Sequence, residues 1–314
     1  MKRRTALKLV GGSLVSWSMA PLNLLSSGND EGLWALVDFA PVLGYPQPEF
    51  SDNEVLVCAA GFGNDGFMAV QKILKQFEAA HSFRGGFSWP PGLVMREQAC
   101  RGPGKRSFHS AMLNADLVLL LGSEEAHRNP DFVECARMAR DSGALTVAIL
   151  QSTSTPPPTF PTSLQVGQID FWATLPSPPE FMPPGAALSE AAYFIPEMVL
   201  RPGVIGIDLV DVQAILQQAG KGFLTIGYGK GIDRGKMAVT EALGAWRDAG
   251  FECNLIRRAL ATLHGPEDLS MDDFDQVSST LYESLDEDAD LITSVHNDPF
   301  LHDKIRVTIA GPLV

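Results

Sequence analysis

Runs of consecutive apolar residues alternate along the first half of the chain with segments whose apolar residues recur at helical spacing. The first run, residues 55–60, has no polar alternation and predicts a strand buried on both faces. It is followed by a glycine-rich turn at 61–66 and by a helical pattern at 67–80. Strand, glycine turn and helix in this order indicate the opening of a βαβ unit.

The same pattern repeats further along the chain. A second apolar run predicts a buried strand at 115–122, a helix follows at 131–141, and Gly143 ends that helix before a third strand at 144–150. Such alternation is typical of a parallel sheet with helices on both faces. Residues 50–185 are therefore predicted to form a Rossmann-like domain.

Nine prolines between residues 151 and 185 exclude long regular elements there, apart from one short strand at 169–173. A central helix follows at 186–203, with Pro196 inside it. Beyond it we predict a second α/β domain, residues 204–314, so that the fold class is α/β with two packed parts. Its predicted elements are helices at 208–218, 234–247 and 271–285 and strands at 222–227, 290–295 and 304–309.

Composition and charge exclude several classes of protein. The chain has 314 residues, of which 45% are hydrophobic and 19% charged, which is ordinary for a globular protein. The formal net charge of -13 disfavours nucleic acid as a partner. The four cysteines are scattered, so we expect buried thiols and no metal site. The six histidines are widely spaced and are predicted to lie at the surface.

The N-terminal segment, residues 1–27, is basic and then apolar. Arg3 and Arg4 begin a stretch that resembles a twin-arginine export signal, although Pro21 disfavours cleavage after Ala20. The alternative is a disordered or amphipathic tail on a cytosolic protein. Contact with a membrane through residues 1–25 is one expectation from this segment.

The glycines at 61–66 match the GxGxxG pattern of dinucleotide-binding turns. Such a site also needs a carboxylate at the end of the next strand to hold the ribose, and residues 83–91 contain none. The other interpretation is that these glycines allow a helix to pack closely on its strand.

Several stretches resemble the FtsZ branch of the tubulin superfamily in their order and spacing. The similarity extends over about residues 53–310 and implies the tubulin/FtsZ fold, GTP as ligand, filament assembly and a cytoplasmic location. The stretches that carry it are 115–118, 143–148, 201–212, 227–234 and 269–307.

In that family the phosphates rest on a run of glycines at a helix N-terminus, where bare backbone N–H groups and the helix dipole meet the anion. Here residues 123–130 stand in its place, with two carboxylates, Glu124 and Glu125, and with Pro130. Each carboxylate would repel a triphosphate by about 3 to 4 kcal/mol at a separation of about 4 to 5 Å and an effective dielectric near 20. We therefore expect GTP or GDP to bind poorly, and Mg²⁺ only with GTP. Residues that the resemblance places near a nucleotide are Gly61, Gly63, Asn64, Arg128 and Phe181.

The resemblance also implies a catalytic role for Asp208 and Asp211. In the family the loop after the central helix enters the pocket of the next subunit, where its carboxylates orient the water that attacks the γ-phosphate. Gly206 stands where the family carries Asn. The alternative is that Asp208 only caps the helix that begins there.

Three functional hypotheses follow. The first is a filament-forming or filament-modulating subunit with a degenerate GTP site, which self-associates or co-assembles with an FtsZ-type subunit. The second is an active GTPase of cell division in which Arg128, Lys105 or Arg106 replaces the lost backbone contacts. The third is an exported or membrane-tethered scaffold.

Overall fold

A mixed sheet of nine strands runs through the part of the chain that the computed structural model describes, which comprises residues 55, 57–78, 87–89, 115–152, 169–175, 186–201, 203–248 and 252–313. Its strands and helices are β1 Val57–Phe62, α1 Gly63–Glu78, β2 Phe87–Trp89, β3 Leu117–Ser123, α2 Pro130–Ser142, β4 Leu145–Gln151, β5 Phe171–Leu175, α3 Ala186–Leu200, α4 Leu209–Leu216, β6 Gly220–Lys230, α5 Arg234–Asp248, β7 Arg258–Gly265, α6 Met271–Ser284, β8 Asp290–Asn297 and β9 Lys304–Pro312.

The strand order is β2-β1-β3-β4-β5-β6-β9-β7-β8. The first six strands are parallel, β9 pairs antiparallel with both β6 and β7, and β7 is parallel to β8. The predicted α/β class with a largely parallel sheet is therefore confirmed. Strand β3 pairs with β1 and β4 in register along its whole length, as expected for apolar runs buried on both faces.

The central helix, α3, packs on one face of the sheet. Its side chains are buried almost all round, which explains why the helix tolerates so little polarity. The core beneath it includes Leu119 and Val147 from the first half of the sheet and Leu224 and Leu260 from the second half. Helix α2 covers the opposite face of the first half, and helices α5 and α6 pack on the second half. One helix therefore contacts both halves of the sheet.

The structure corrects several predicted boundaries. Helix α1 begins at Gly63 rather than after the glycines, and β6 extends from Gly220 to Lys230 because β9 pairs along nearly its whole length. Strand β7 was not predicted at all. Its alternation of small and branched residues, including Ala259 and Ala261, gives little β propensity, yet it is buried between β9 and β8.

Some expectations fall on residues that the structure does not describe. These include the N-terminal segment 1–27, with its contact to a membrane, and Phe181. The domain boundaries at 185 and 203 stay a prediction. Among the described helices, none is both long enough and apolar enough to cross a bilayer.

Candidate nucleotide edge and acidic segment

The turn between β1 and α1 is built on close contacts between glycines. A Cβ atom added to Gly61 would lie 2.3 Å from the carbonyl oxygen of Gly66, and one added to Gly66 would lie 2.3 Å from the carbonyl oxygen of Leu121. Gly63 begins the helix with a left-handed φ of 71°, and Asn64 beside it is exposed. The spacing of these glycines is thus explained by a helix pressed onto two strands.

Segment 123–130 lies next to this turn. Strands β1 and β3 end side by side, with Phe62 opposite Gly122, so both following segments meet at the carboxyl edge of the parallel sheet. Ligands of open α/β sheets bind in crevices at this edge. A Cβ atom on Gly122 would lie 2.7 Å from the Cβ atom of Ala126, so the segment folds back tightly onto its strand.

Within segment 123–130, residues Glu124–Arg128 form a 3-10 helix. The Ser152 hydroxyl donates to Glu124 Oε2 at 2.8 Å. The guanidinium of Arg128 pairs with Glu125, and both side chains are more than half exposed. The buried His127 ring contacts the carbonyl oxygen of Glu124 through Nδ1. The acidic side chains therefore have partners within or beside the segment.

The N-terminus of α2 is capped by its own chain. The amide of Asp131 donates to Asn129 Oδ1 at 2.9 Å, and the amide of Phe132 donates to the Asn129 carbonyl at 3.0 Å. Asn129 itself donates to the Ala126 carbonyl at 2.9 Å, and Pro130 has no N–H group. The donors that a helix N-terminus usually leaves for an anion are thus already used or missing.

Asp208 and Asp211 form a capping box at the start of α4. The amide of Asp211 donates to Asp208 Oδ1 at 2.9 Å, and the amide of Asp208 donates to Asp211 Oδ2 at 3.1 Å. Asp208 is exposed and Asp211 is half-exposed. Val210 between them is 68% exposed. The capping role that we considered for Asp208 is present, and the catalytic role of both residues stays a prediction.

A buried polar cluster between the central helix and the second half of the sheet was missed by sequence reasoning. His264 Nε2 lies 2.6 Å from Glu197 Oε2, and Arg201 Nη1 lies 2.7 Å from Glu197 Oε1. The His264 and His296 rings stack with their centroids 5.6 Å apart, and both are nearly inaccessible to solvent. The prediction that all six histidines lie at the surface was therefore wrong for these two and for His127. The available signal was that each directly follows an apolar residue, Leu263 or Val295, within an apolar stretch.

Burial and charge act in opposite directions within the cluster. Burial alone would raise the pKa of Glu197, but His264, His296 and Arg201 outweigh it and lower that pKa to about 2. Burial lowers the pKa of His296 to about 4, against the attraction of Glu197. Arg306 joins the cluster from β9 and donates to Glu190 at 3.1 Å. Among the described residues, His264 Nδ1, His296 Nε2 and Arg306 Nε have no hydrogen-bond partner.

No group of three or more His, Cys, Asp or Glu side chains in the described part of the chain is arranged to hold a metal ion. The thiols of Cys58, Cys135 and Cys253 are buried, as the sequence predicted. Burial raises the pKa of Cys135, so this thiol stays protonated near neutral pH.

Comparison with known proteins supports the resemblance seen in the sequence. Residues 220–311 match the family described as FtsZ family, C-terminal domain. The fold is similar to that of an empty FtsZ dimer from M. jannaschii, with a TM-score of 0.64 and 18% identity over 83% of this chain and 89% of the other. The chain thus resembles the FtsZ branch of the tubulin superfamily in the sequence of its second half and in its fold. The resemblance predicted from the sequence is thus confirmed.

Other relatives of this FtsZ-like chain agree with the assignment. The cell division protein FtsZ of Aquifex aeolicus is 29% identical over 126 residues, 40% of this chain and 34% of that protein. The FtsZ of Methanothermobacter thermautotrophicus is 29% identical over 135 residues, 43% of this chain and 35% of that protein. The chain therefore spans about a third of the length of these curated relatives. The GDP-bound monomer of CetZ1 from Haloferax volcanii shares the fold, with a TM-score of 0.54 and 12% identity over 82% of this chain and 94% of that one.

Proposed function

We propose that this FtsZ-like chain is a filament-forming or filament-modulating subunit that holds GTP poorly in its own pocket. The observation that carries the proposal is the N-terminus of α2, where Asn129 and Pro130 occupy or remove the donors that would meet a phosphate. An anion bound there would have to displace these internal hydrogen bonds. The helix dipole remains, but it stabilises an anion less when the first amides of α2 already donate to acceptors within the chain.

Electrostatics support the same proposal. Glu124 and Glu125 place two negative charges in segment 123–130, and Arg128 already pairs with Glu125. A triphosphate would therefore compete with Glu125 for Arg128, which the active-GTPase hypothesis assigns to the phosphates. Mg²⁺ would enter only with GTP, because it is held mainly by phosphate oxygens and water in such sites.

The acidic segment, residues 203–211, supports association with a neighbouring subunit. Asp208 is exposed and Val210 beside it presents an apolar side chain to solvent. An exposed carboxylate beside an exposed apolar side chain fits a neighbouring subunit whose own pocket holds the nucleotide. Self-association is also supported by relatives, since M. jannaschii FtsZ has been described as a dimer and Bacillus thuringiensis TubZ as GDP-form protofilaments. The TubZ fold matches with a TM-score of 0.52 and 9% identity over 81% of this chain and 83% of that one.

Calorimetry with GTP and Mg²⁺ on the purified chain tests the pocket. We expect a Kd weaker than about 100 µM, equivalent to a binding free energy smaller than about 5.5 kcal/mol. Copurified GDP, submicromolar affinity or rapid hydrolysis by the chain alone would refute the proposal. Any of these results would favour the active GTPase instead.

A charge-removing variant that preserves the cap tests the acidic segment. The double variant Asp208→Ser with Asp211→Gln keeps a Ser-x-x-Gln capping box, so helix α4 should stay intact. We expect the wild-type chain to change the GTP turnover of an added, GTP-hydrolysing FtsZ. The change caused by the variant should be at least about 10-fold smaller.

The matched control for this variant removes two exposed charges elsewhere, through Asp248→Asn and Glu252→Gln. It should act like the wild type. If the wild type leaves both turnover and polymer mass unchanged, co-assembly is excluded. If the control loses as much effect as the test variant, the result reflects net charge and not the acidic segment.

The scaffold hypothesis depends on residues 1–27, which lie outside the described residues. Finding the full-length chain unprocessed in the cytosolic fraction would contradict it.

A further inference from the structure

The buried cluster described above joins three parts of the fold that are distant in sequence. The central helix contributes Glu197, Arg201 follows directly after it, β7 contributes His264 and β8 contributes His296. The cluster therefore helps to hold the central helix against the second half of the sheet.

The cluster also touches the start of the acidic segment. A Cβ atom on Gly203 would lie 3.2 Å from His296 Cε1, so the backbone at Gly203 packs closely against that ring. The amide of Val204 donates to the Val295 carbonyl at 2.7 Å, and the amide of Val295 donates to the Ile205 carbonyl at 3.0 Å. A change at His296 is thus next to the hydrogen bonds that fix the acidic segment on β8.

The charges that act on the His296 ring come from several elements, namely Glu197, Arg201, His264 and Arg306. Glu190 and Asp298 pair with Arg306 behind this layer, beside the phenols of Tyr193 and Tyr228. Glu197, the carboxylate that acts on His296, already pairs with His264 and Arg201. A proton added to His296 would therefore be a buried charge without a counter-ion of its own.

Neither imidazole has a hydrogen-bond acceptor for an added proton. His264 Nδ1 and His296 Nε2 both lack partners among the described residues. A proton on either atom would be a buried donor with no acceptor, which native structures avoid. Protonation therefore favours a conformation in which the ring reaches water.

We propose that His264 and His296 form a proton-sensitive latch that holds the central helix and the acidic segment on the second half of the sheet. Uptake of a proton by His296 opens the latch and frees the acidic segment from β8. The first half of the sheet stays folded as this happens. The latch concerns the isolated chain and depends on neither GTP nor a partner.

Hydrogen exchange on the full chain, followed by NMR at pH 7 and pH 5, tests the latch. The reporters are the amides of Val204 and Val295, corrected for the intrinsic pH dependence of exchange. We assume that His296 has its ordinary pKa of about 6.5 in the open state and a pKa of about 4 in the closed state. The population of the open state should then increase about 20-fold as the pH falls from 7 to 5. Amides of the first-half core, such as those of Leu119 and Val147, should show no such increase.

The variant His296→Phe keeps an aromatic ring stacked on His264 but cannot take up a proton. We expect its reporter amides to open equally at pH 7 and pH 5. The control His302→Asn removes an exposed histidine at a left-handed position that Asn tolerates, and it should behave like the wild type.

Three outcomes would overturn the proposal. One is that the wild-type reporters change less than about 3-fold between pH 7 and pH 5, far below the expected increase. Another is that His296→Phe keeps the wild-type pH dependence. The third is that the core amides open in parallel with the reporters, which would indicate global acid unfolding. The wild-type measurement decides between the first and third outcomes even if the variant does not fold.

Discussion

Replacing Glu197 by Gln removes the charge that His264 and Arg201 share in the buried cluster. The lowering of the Glu197 pKa to about 2 corresponds to about 3 kcal/mol of preference for the charged form. Breaking a buried pair by removing one partner costs about 3 to 5 kcal/mol in other proteins. We therefore expect Glu197→Gln to lower the free energy of unfolding by about 3 kcal/mol at pH 7.

The loss should depend on pH in a defined direction. Because the folded pKa of Glu197 lies below its unfolded value, its contribution is complete above pH 4.5 and is lost as the pH falls toward 2. The difference between wild type and variant should shrink to about half of its neutral-pH value by pH 3. Urea unfolding at several pH values, followed by circular dichroism, measures it.

Glu134→Gln is the matched control. Glu134 pairs with Arg137 on the exposed face of α2, with side chains 39% and 46% exposed. Exposed pairs of this kind contribute about 0 to 1 kcal/mol. A loss below about 1 kcal/mol for Glu197→Gln at pH 7, or a loss equal to that of the control, would refute the reasoning that this buried carboxylate is held charged by its partners.

Three further predictions concern stability and are measured by urea unfolding. Gly66→Ala should destabilise by about 2 kcal/mol or more, because its Cβ atom would meet the Leu121 carbonyl at 2.3 Å; a neutral effect would contradict the packing interpretation of the glycine turn. Asn129→Ala should cost about 1 kcal/mol as the cap of α2 is lost, and an unchanged midpoint would exclude the cap. Arg234→Met should cost about 3 kcal/mol, since it leaves Asp273 buried without its partner at 2.8 Å, and the loss should diminish below pH 3.8 as that carboxylate takes up a proton.

Much of the fold could be predicted because its strands are local patterns. Strands β3 and β4 are continuous apolar runs, and Gly143 ends α2 in a left-handed conformation, as the sequence predicted. Segment 123–130 was singled out through the family resemblance, since carboxylates and a proline stand where the family carries glycines. The structure added what local composition does not contain, namely the cap that Asn129 places on α2.

The parts that were missed depend on contacts between distant residues. Glu197 and His264 are 67 positions apart, and each taken alone is an ordinary polar residue in an apolar stretch. Strand β7 becomes a strand through pairing with β8 and β9 rather than through the propensity of its alanines. Asp208 and Asp211 were singled out by the family resemblance, which could not separate capping from catalysis.

The position of β9 has a consequence for synthesis of the protein on the ribosome. This strand lies between β6 and β7, although both precede it in the chain. Until residues 304–312 leave the exit tunnel, β6 and β7 each present an open edge with unpaired backbone groups, and such edges invite pairing with other chains. The nascent first half can fold early, whereas the second half waits for its last strand, and this interval is when a chaperone would protect it most.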